Sequence, residues 1–199
     1  MLQGNISQFE YECGLDEVGR GCLAGPVVAA AVILPVDYVH EGLNDSKKIS
    51  EKKRVKYAED IKRDAIAWAI AEVDSEEIDK VNILNASFYA MHRAIDKLSV
   101  NPQYLVVDGN RFIPYKDLPF ECVIKGDSKQ LNIAAASILA KTYRDDLMKN
   151  YAEKFPGYGW EKNAGYPTKQ HREGIAKLGV TELHRRTFKL LPDQMDLFQ

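Results

Sequence analysis

The run that decides the fold of this chain is Asp16-Glu17-Val18-Gly19-Arg20-Gly21. Residues 9–15, which precede it, are half apolar and have the pattern of a β-strand. Two adjacent carboxylates repel each other, and a bound divalent cation removes that cost. Because neighbouring strand side chains point to opposite faces, both carboxylates reach one site only where the strand ends or bulges, and Gly19 and Gly21 allow such a break. The residues alone leave a second interpretation open, in which the acidic pair lies in a solvated turn before a glycine-rich loop.

Size and composition indicate a globular protein. The chain has 199 residues, 45% hydrophobic and 28% charged, so we expect one domain, or one domain with a small lobe, and a monomer. The net charge of −2 argues only weakly against a nucleic-acid ligand, since the lysines and arginines are clustered. No apolar run has membrane-spanning length and the N-terminus lacks a signal-peptide pattern, so we expect no membrane partner. Cys13, Cys22 and Cys122 show no CxxC spacing, which argues against a disulfide framework or a zinc site and favours the cytoplasm.

Apolar runs predict the strands of an α/β fold. After the strand at residues 9–15, the predicted strands are residues 27–34, 65–73, 104–107 and 120–124. The first three suit an antiparallel meander, whereas helices between the later strands indicate parallel pairing there. The predicted helices are residues 51–63, 82–98 and 133–154, a short turn at 75–79, a helix capped by Thr168 and a short last helix capped by Thr181.

Carboxylates follow three of the predicted strands. Asp16 and Glu17 follow the first strand, Asp108 follows residues 104–107, and Asp127 comes shortly after residues 120–124. In open α/β sheets ligands gather at the carboxyl ends of parallel strands, so we expect these side chains to converge. An all-oxygen site suits Mg²⁺ or Mn²⁺ and does not suit zinc.

Six motifs together resemble the ribonuclease HII family, the type 2 ribonucleases H. They are Asp16-Glu17-Val18-Gly19-Arg20-Gly21 with Leu23-Ala24-Gly25-Pro26, Asn44-Asp45-Ser46-Lys47-Lys48, Val107-Asp108-Gly109, Gly126-Asp127-Ser128 with residues 135–141, Gly165-Tyr166-Pro167-Thr168-Lys169-Gln170-His171, and His184-Arg185-Arg186-Thr187-Phe188. The motifs occur in the family's order and cover nearly the whole chain.

The resemblance implies a fold and an activity. The fold is ribonuclease H-like, a five-stranded mixed sheet flanked by helices with a helical C-terminal lobe. On this basis we divide the chain into a catalytic domain (1–155), a lobe that completes the substrate site (156–191) and a tail (192–199). The activity is that of a metal-dependent endonuclease that hydrolyses the RNA strand of RNA/DNA hybrids. It also cuts 5′ of ribonucleotides embedded in duplex DNA, as ribonucleotide excision repair requires, and leaves 3′-hydroxyl and 5′-phosphate ends.

The resemblance also implies site residues. Asp16, Glu17, Asp108 and Asp127 correspond to the catalytic carboxylates, which hold a two-metal site of Mg²⁺ or Mn²⁺. The expected substrate contacts are Gly19, Arg20, Gly21, Lys47, Ser128, Lys129, Tyr166, Arg185 and Arg186. Within this set, Gly19–Gly21 adjoin the carboxylates and can meet the 2′-hydroxyl that distinguishes RNA from DNA, and Tyr166 stacks on the sugar at the RNA–DNA junction. From the residues alone, the preferred interpretation of Tyr166 is a loop aromatic packed on Pro167, and each of the polar and basic residues has a solvated-surface alternative.

Three alternatives compete with this interpretation. A ribonuclease HIII carries an extra N-terminal domain, for which the chain before residue 9 is too short. A resolvase or integrase of the same fold lacks the Gly-Arg-Gly loop and a counterpart of Tyr166. A non-catalytic nucleic-acid binding module gains nothing from acidic groups that face phosphate.

The tail, residues 192–199, carries a separate signal. Gln194-Met195-Asp196-Leu197-Phe198 resembles the short peptide with which bacterial replication proteins bind the sliding clamp, where a glutamine and a Leu-Phe pair fill one groove. We therefore expect a clamp contact through Gln194, Leu197 and Phe198. The alternative is that Leu197 and Phe198 fold back on the surface of the domain.

Overall fold

The centre of the protein is a mixed sheet, seen in a computed structural model that describes residues 2–40, 42–43 and 49–192. Within these residues the strands are β1 (Glu12–Val18), β2 (Val27–Ile33), β3 (Ala67–Val73), β4 (Tyr104–Asp108) and β5 (Phe120–Val123). They form one five-stranded sheet of order β3-β2-β1-β4-β5. The pairs β1–β2 and β2–β3 are antiparallel, and β1–β4 and β4–β5 are parallel. The predicted meander and the parallel pairing of the later strands are confirmed, and β1, β4 and β5 therefore end at the same edge.

Helices cover both faces of the sheet, which explains why every residue of β2 is buried. The helices are α1 (Glu51–Asp64), α2 (Ser75–Val81), α3 (Ile83–Asp96), α4 (Leu131–Lys154), α5 (Trp160–Asn163) and α6 (Lys169–Leu178). On one face, Ala29 and Ala31 pack in a core with Met91 of α3. On the other face, Val28 and Ala30 pack with Ile61 of α1 and Ile138 of α4. Because successive β2 side chains point to opposite faces of the sheet, the strand contributes side chains to two separate cores.

Small residues let α4 lie close against the sheet. A Cβ on Gly14 of β1 would come within 2.2 Å of the carbonyl carbon of Asn132 in α4. Ala134, Ala135 and Ala136 of the same helix are fully buried. This close contact fixes the depth at which α4 crosses β1, and it brings Ser137 of α4 to the carboxylates of β1.

The structure corrects two local predictions. Strand β1 continues to Val18, so Asp16 and Glu17 lie inside the strand, paired with Ala30 and Ala29, and not beyond its end. The predicted last helix at Thr181 is wrong. The backbone after Thr181 instead bonds across to the loop between β1 and β2, where Gly25 N donates to Leu183 O over 2.8 Å. Inter-segment hydrogen bonds replace the helical ones there.

The C-terminal lobe contains α5 and α6 and shares its core with the rest of the protein. Its buried residues Tyr158, Trp160 and Ile175 pack with Leu23 of the β1–β2 loop and with Met148 of α4. The division at residue 155 stays a prediction. Among the helices of the described residues, none combines the length and the apolar character needed to cross a bilayer.

Candidate active site

Parallel strands bring two of the predicted carboxylates side by side. The register of β1 and β4 pairs Leu15 with Val107, so the next residues, Asp16 within β1 and Asp108 at the end of β4, lie side by side on adjacent strands. Asp16 is only 6% exposed, and the side chain of Glu17 is 12% exposed. Asp108 Oδ1 accepts a 2.7 Å hydrogen bond from Gly126 N. The carboxylates are therefore largely withdrawn from water.

These carboxylates repel one another in the protein interior. Burial raises the pKa of Asp16 well above its ordinary value, the charges of Glu17 and Asp108 raise it further, and a hydrogen bond with Ser137 opposes the shift. Burial likewise raises the pKa of Glu17 to about 7, with Arg20 opposing the shift and Asp108 adding to it. Asp16, Glu17 and Asp108 thus form one acidic group, in which neighbouring negative charges disfavour the ionised forms of Asp16 and Glu17.

Asp127 lies in a short 3₁₀ turn, Gly126–Ser128, and is buried. The turn follows Lys125, whose φ of 57° is left-handed, so the chain reverses after β5 and before α4. Strand β5 ends at Val123, four residues before Asp127. The structure thus places Asp127 in the segment next to Asp108, whose carboxylate accepts from Gly126, but its catalytic role stays a prediction.

The Gly19–Gly21 segment borders the carboxylates. Gly19 has a φ of 95°, and a Cβ there would meet Arg144 Nε at 2.3 Å, so glycine is required at this position. A Cβ on Gly21 would meet nothing within 4 Å, so the backbone there faces open space. Arg20 is exposed, and its Nη1 donates to Glu17 Oε1 over 3.2 Å. This segment therefore places backbone amide and carbonyl groups, and the Arg20 guanidinium, next to the carboxylates.

Two buried arginines hold the β1–β2 loop, and the sequence analysis missed the first of them. Arg144 of α4 donates to the carbonyls of Pro26 (2.9 Å), Ala164 (2.8 Å) and Ala24 (3.1 Å). It lies four residues after buried Ala140 and four before buried Met148, a helical spacing that marks it as an inward-facing residue.

Arg185 is the second of these arginines, and it corrects a prediction. Its Nε and Nη2 donate to Gly25 O at 3.1 and 2.9 Å, and its Nη1 donates to Arg20 O at 2.9 Å. The side chain is fully buried. The expected phosphate contact by Arg185 is therefore wrong in this structure, because the guanidinium is used inside the protein to hold the Gly-Arg-Gly segment.

Three further predicted substrate residues lie wholly or partly at the surface. Lys129 and Arg186 are exposed, and Ser128 is partly exposed and donates from its hydroxyl to Lys125 O over 2.9 Å. The backbone N of Arg186 donates to Asp79 Oδ2 over 2.7 Å, which fixes its position on the chain. Lys47 and the tail residues Gln194, Leu197 and Phe198 lie outside the described residues.

Tyr166 lies beside the Gly-Arg-Gly segment although it is far away in sequence. It is 38% exposed in the loop between α5 and α6. Its side chain forms a hydrogen bond with Cys22, the residue after Gly21. Lys141 Nζ lies 5.9 Å from the centre of its ring. The structure thus brings together the two elements that the sequence analysis assigned to RNA recognition.

The described acidic side chains at this edge do not form a preorganised group of metal ligands. Within the described residues, no three acidic, histidine or cysteine side chains form a ready ligand group. Glu17 is engaged with Arg20, and Asp108 with the Gly126 amide. The donors at this edge are nevertheless carboxylate oxygens, the ligand type that Mg²⁺ and Mn²⁺ prefer.

Comparison with known proteins agrees with this geometry. The family model "Ribonuclease HII" matches residues 13–191. The ribonuclease HII of Parabacteroides distasonis is 62% identical over 99% of both chains. The ribonuclease H2 of Pyrococcus horikoshii has a similar fold, with a TM-score of 0.77, 23% identity and coverage of 90% of this chain and 94% of that one. The RNase HII of Archaeoglobus fulgidus, solved in a complex with PCNA, gives a TM-score of 0.73 at 26% identity over 93% of this chain and 98% of that one.

These matches separate the alternatives. Family and identity favour ribonuclease HII over ribonuclease HIII and over a resolvase, and they argue against a non-catalytic binding module. The five-stranded sheet agrees with the ribonuclease H-like fold of the solved structures. The chain therefore belongs to the ribonuclease HII family, and it is an endoribonuclease with ribonuclease H activity.

Proposed function

We propose that this endonuclease is metal-dependent, and that it cuts both the RNA strand of RNA/DNA hybrids and the 5′ side of single ribonucleotides embedded in duplex DNA. Its products are 3′-hydroxyl and 5′-phosphate ends, as in the first step of ribonucleotide excision repair. The observation that carries the proposal is the group of Asp16, Glu17 and Asp108, in which burial raises the pKa of Asp16 and of Glu17 and the charge of Asp108 raises both further. Such a group is costly unless cations bind to it.

The donor set fits a pair of Mg²⁺ or Mn²⁺ ions. Asp16, Glu17, Asp108 and Asp127 would hold them through carboxylate oxygens. A ribonuclease HIII from Bst, of similar fold (TM-score 0.70) but only 19% identical, was solved in a complex with Mn²⁺, which is in line with this choice. Ions held there would supply activation of a water molecule and stabilisation of the leaving 3′-oxygen. Binding of a cation by Glu17 would compete with the hydrogen bond that Arg20 donates to it, and Arg20 could then contact a phosphate.

Selectivity for RNA is assigned to Gly19–Gly21 and Tyr166. The open space at Gly21 admits a sugar close to the backbone, where amide and carbonyl groups can bond a 2′-hydroxyl. Tyr166 forms a hydrogen bond with Cys22 beside the same segment, and the 38% of this residue that is exposed can stack on the sugar at an RNA–DNA junction. This supports junction reading over packing of Tyr166 on Pro167.

The phosphate contacts are assigned to polar and cationic residues of the predicted substrate set. They are Arg20, Lys47, Ser128, Lys129 and Arg186; Arg185 is left out because it is buried. Cationic contacts to phosphates release counterions, so duplex affinity falls as the salt concentration rises.

The test uses a DNA duplex that carries one ribonucleotide. With Mg²⁺ or Mn²⁺ the protein is expected to give a single cut 5′ of the ribonucleotide, with 3′-hydroxyl and 5′-phosphate ends, and no cut in EDTA. An all-DNA duplex of the same sequence is the control. Cleavage that persists in EDTA would contradict the metal assignment, and a cut 3′ of the ribonucleotide would contradict the assigned chemistry.

The enzyme is also proposed to act in the cytoplasm as a monomer. Cys13, Cys22 and Cys122 are free thiols, as suits a reducing compartment. Sedimentation of the purified protein at assay concentration checks the oligomeric state.

A second partner is proposed for the tail, which would bind the bacterial sliding clamp through Gln194, Leu197 and Phe198. The sequence motif supports this, as does the existence of a PCNA complex of the Archaeoglobus fulgidus RNase HII. Such a tether raises the effective concentration of the nuclease at newly made DNA.

Clamp titration by calorimetry tests the tail. The full chain is expected to bind, and the double variant Leu197→Ala/Phe198→Ala is expected to lose binding while it cleaves free oligonucleotides at the normal rate. Asp196→Ala, within the same motif, is the matched control and should keep binding. If titration of the full chain gives no heat of binding, the tail serves another purpose, such as packing on the domain.

A further inference from the structure

A buried hydrogen-bonded cluster lies beneath Tyr166. Trp160, His171 and His184 are 1%, 0% and 2% exposed, respectively. Trp160 Nε1 donates to His171 Nε2 over 2.9 Å, and the Nε2 atoms of the two histidines are 3.3 Å apart. His171 Nδ1 lies 3.0 Å from Tyr166 O. The cluster thus connects the interior of the C-terminal lobe to the main chain of the residue assigned to junction reading.

The partners determine where each proton lies. Tyr166 O can only accept, so His171 Nδ1 carries a proton and His171 Nε2 is the acceptor for Trp160. Thr181 N donates to His184 Nδ1 over 2.9 Å, so the proton of His184 is on Nε2 and points at His171 Nε2. Burial lowers the pKa of both histidines, so both are neutral at physiological pH. The arrangement admits one tautomer of each ring.

This fixed tautomer has a consequence for Tyr166. Because Trp160 and His184 both direct an N–H group at His171 Nε2, that nitrogen carries no proton. The one N–H of the His171 ring is therefore on Nδ1, and it donates to the Tyr166 carbonyl. The same carbonyl also accepts from Thr168 N over 2.8 Å, and Tyr166 N donates to Asn163 O over 2.9 Å. The peptide groups on both sides of Tyr166 are therefore held, while its ring remains exposed.

We propose that His171 is a positioning residue for Tyr166, and that Trp160 and His184 hold His171 in the tautomer that does this. The inference rests on the proposed junction-reading role of Tyr166 and extends it to residues that do not touch the substrate. A single embedded ribonucleotide offers one junction, so cleavage there depends on the placement of Tyr166. A uniform hybrid offers many 2′-hydroxyls and tolerates a displaced ring.

The test compares two variants that each keep half of the imidazole function. In His171→Asn, the amide N–H takes the place of Nδ1–H and can still donate to Tyr166 O. In His171→Gln, the amide reaches the Nε2 position and can accept from Trp160, but it no longer reaches Tyr166 O. Each variant is assayed on a single-ribonucleotide duplex and on a uniform hybrid, and the ratio of the two rates is recorded. Because one preparation serves both assays, a reduced folded fraction cancels from this ratio.

The expected result is asymmetric. His171→Gln should lower the ratio roughly three- to tenfold, the effect of about one lost hydrogen bond, while His171→Asn should keep it within about twofold of the wild type. Tyr166→Ala should lower the ratio at least as much, and His171→Gln should lower it no further in a Tyr166→Ala background.

Each other outcome has a defined meaning. An unchanged ratio in His171→Gln, or an equal fall in both His171 variants, overturns the positioning role while the effect of Tyr166→Ala stands. An unchanged ratio in Tyr166→Ala overturns the junction-reading role of Tyr166 itself, and the inference falls with it.

Discussion

Two clusters of buried polar side chains in this protein differ in how their charges and hydrogen-bonding atoms are paired. At the carboxylate edge, burial raises the pKa of Asp16 and of Glu17, and the charge of Asp108 raises both further. In the C-terminal lobe, His171 and His184 are neutral, and each of their ring nitrogens has a hydrogen-bonding neighbour within 3.3 Å. The first group gains from a bound cation, whereas the second is held by hydrogen bonds inside the protein.

The difference separates a reactive group from a supporting one. A site that must bind cations benefits from charge that the protein leaves uncompensated, and it gives up stability for this. A cluster that positions a neighbour benefits from having each donor and acceptor used, because only then is a single geometry favoured.

Removing the negative charge of Asp16 should lower the cleavage rate and raise the free energy of unfolding of the metal-free protein. Asp16→Asn is expected to lower cleavage on the order of 10³-fold, because a proposed metal ligand is lost. In EDTA at pH 8 the same variant should gain about 0.5–2 kcal/mol in the free energy of unfolding, because a buried repulsion is removed. The amide oxygen can still accept from Glu17 N, as Asp16 Oδ1 does over 2.8 Å.

Asp117→Asn is the matched control for this prediction. Asp117 is exposed in the turn before β5, at the opposite end of the parallel strands from the carboxylates. Removing its charge should change neither the cleavage rate nor the free energy of unfolding. Single-turnover cleavage and thermal unfolding measure the two effects. A loss of stability in metal-free Asp16→Asn would show that the carboxylates do not repel one another.

Removing a buried guanidinium should cost stability where removing its exposed neighbour does not. Arg185→Met leaves the carbonyls of Gly25 and Arg20 without donors, so we expect a loss of about 2–4 kcal/mol in the free energy of unfolding. Arg186→Met should stay within about 0.5 kcal/mol, because the Asp79 contact is made by its backbone. Urea unfolding compares the two. Equal effects would mean that Arg185 does not hold the loop.

The two polar groups should respond to acid with opposite signs. Folding lowers the pKa of His184 from 6.5 to about 4, so the unfolded chain binds the proton first and the free energy of unfolding falls as the pH drops through this interval. Folding raises the pKa of Glu17 from 4.5 to about 7, so the folded protein binds the proton first and the free energy of unfolding rises as the pH drops. Each contribution is about 2 kcal/mol between pH 7.5 and 5.

Variants separate these contributions. In EDTA, His184→Asn should retain more stability at pH 5 relative to pH 7.5 than the wild type, and Glu17→Gln should retain less. Thermal unfolding at both pH values gives the comparison. A change of the same sign in both variants would contradict the assigned pKa shifts.

The smallest effect concerns a predicted phosphate contact at the surface. Arg186→Ala should weaken duplex binding and lower the slope of log affinity against log salt by about 1, as expected for one lost phosphate contact. Lys116→Ala is the control, since Lys116 is equally exposed but lies in the turn before β5, away from the carboxylate edge. Equal slopes in both variants would place the duplex elsewhere on the surface.

The sequence by itself determined the elements and the chemistry of the acidic edge. Apolar runs predicted the strands from β2 to β5 to within about two residues, the helical spacing predicted α3, and an apolar run of small residues predicted the start of α4. These features depend on local patterns of side chains, which the chain displays directly. The carboxylates near the predicted strand ends then indicated Asp16, Glu17 and Asp108, because ligands gather at that edge of an open sheet, although β1 itself continues to Val18.

Only the tertiary structure decided what the polar residues of the C-terminal segment do. Arg185 and Arg186 are adjacent and chemically identical, yet one is buried on the carbonyls of the β1–β2 loop and the other is exposed. The roles of Arg144 and His171 also depend on partners far away in sequence or inside a folded lobe. The physical reason is that a buried donor is defined by the acceptor it meets, and only chain packing brings that acceptor into place.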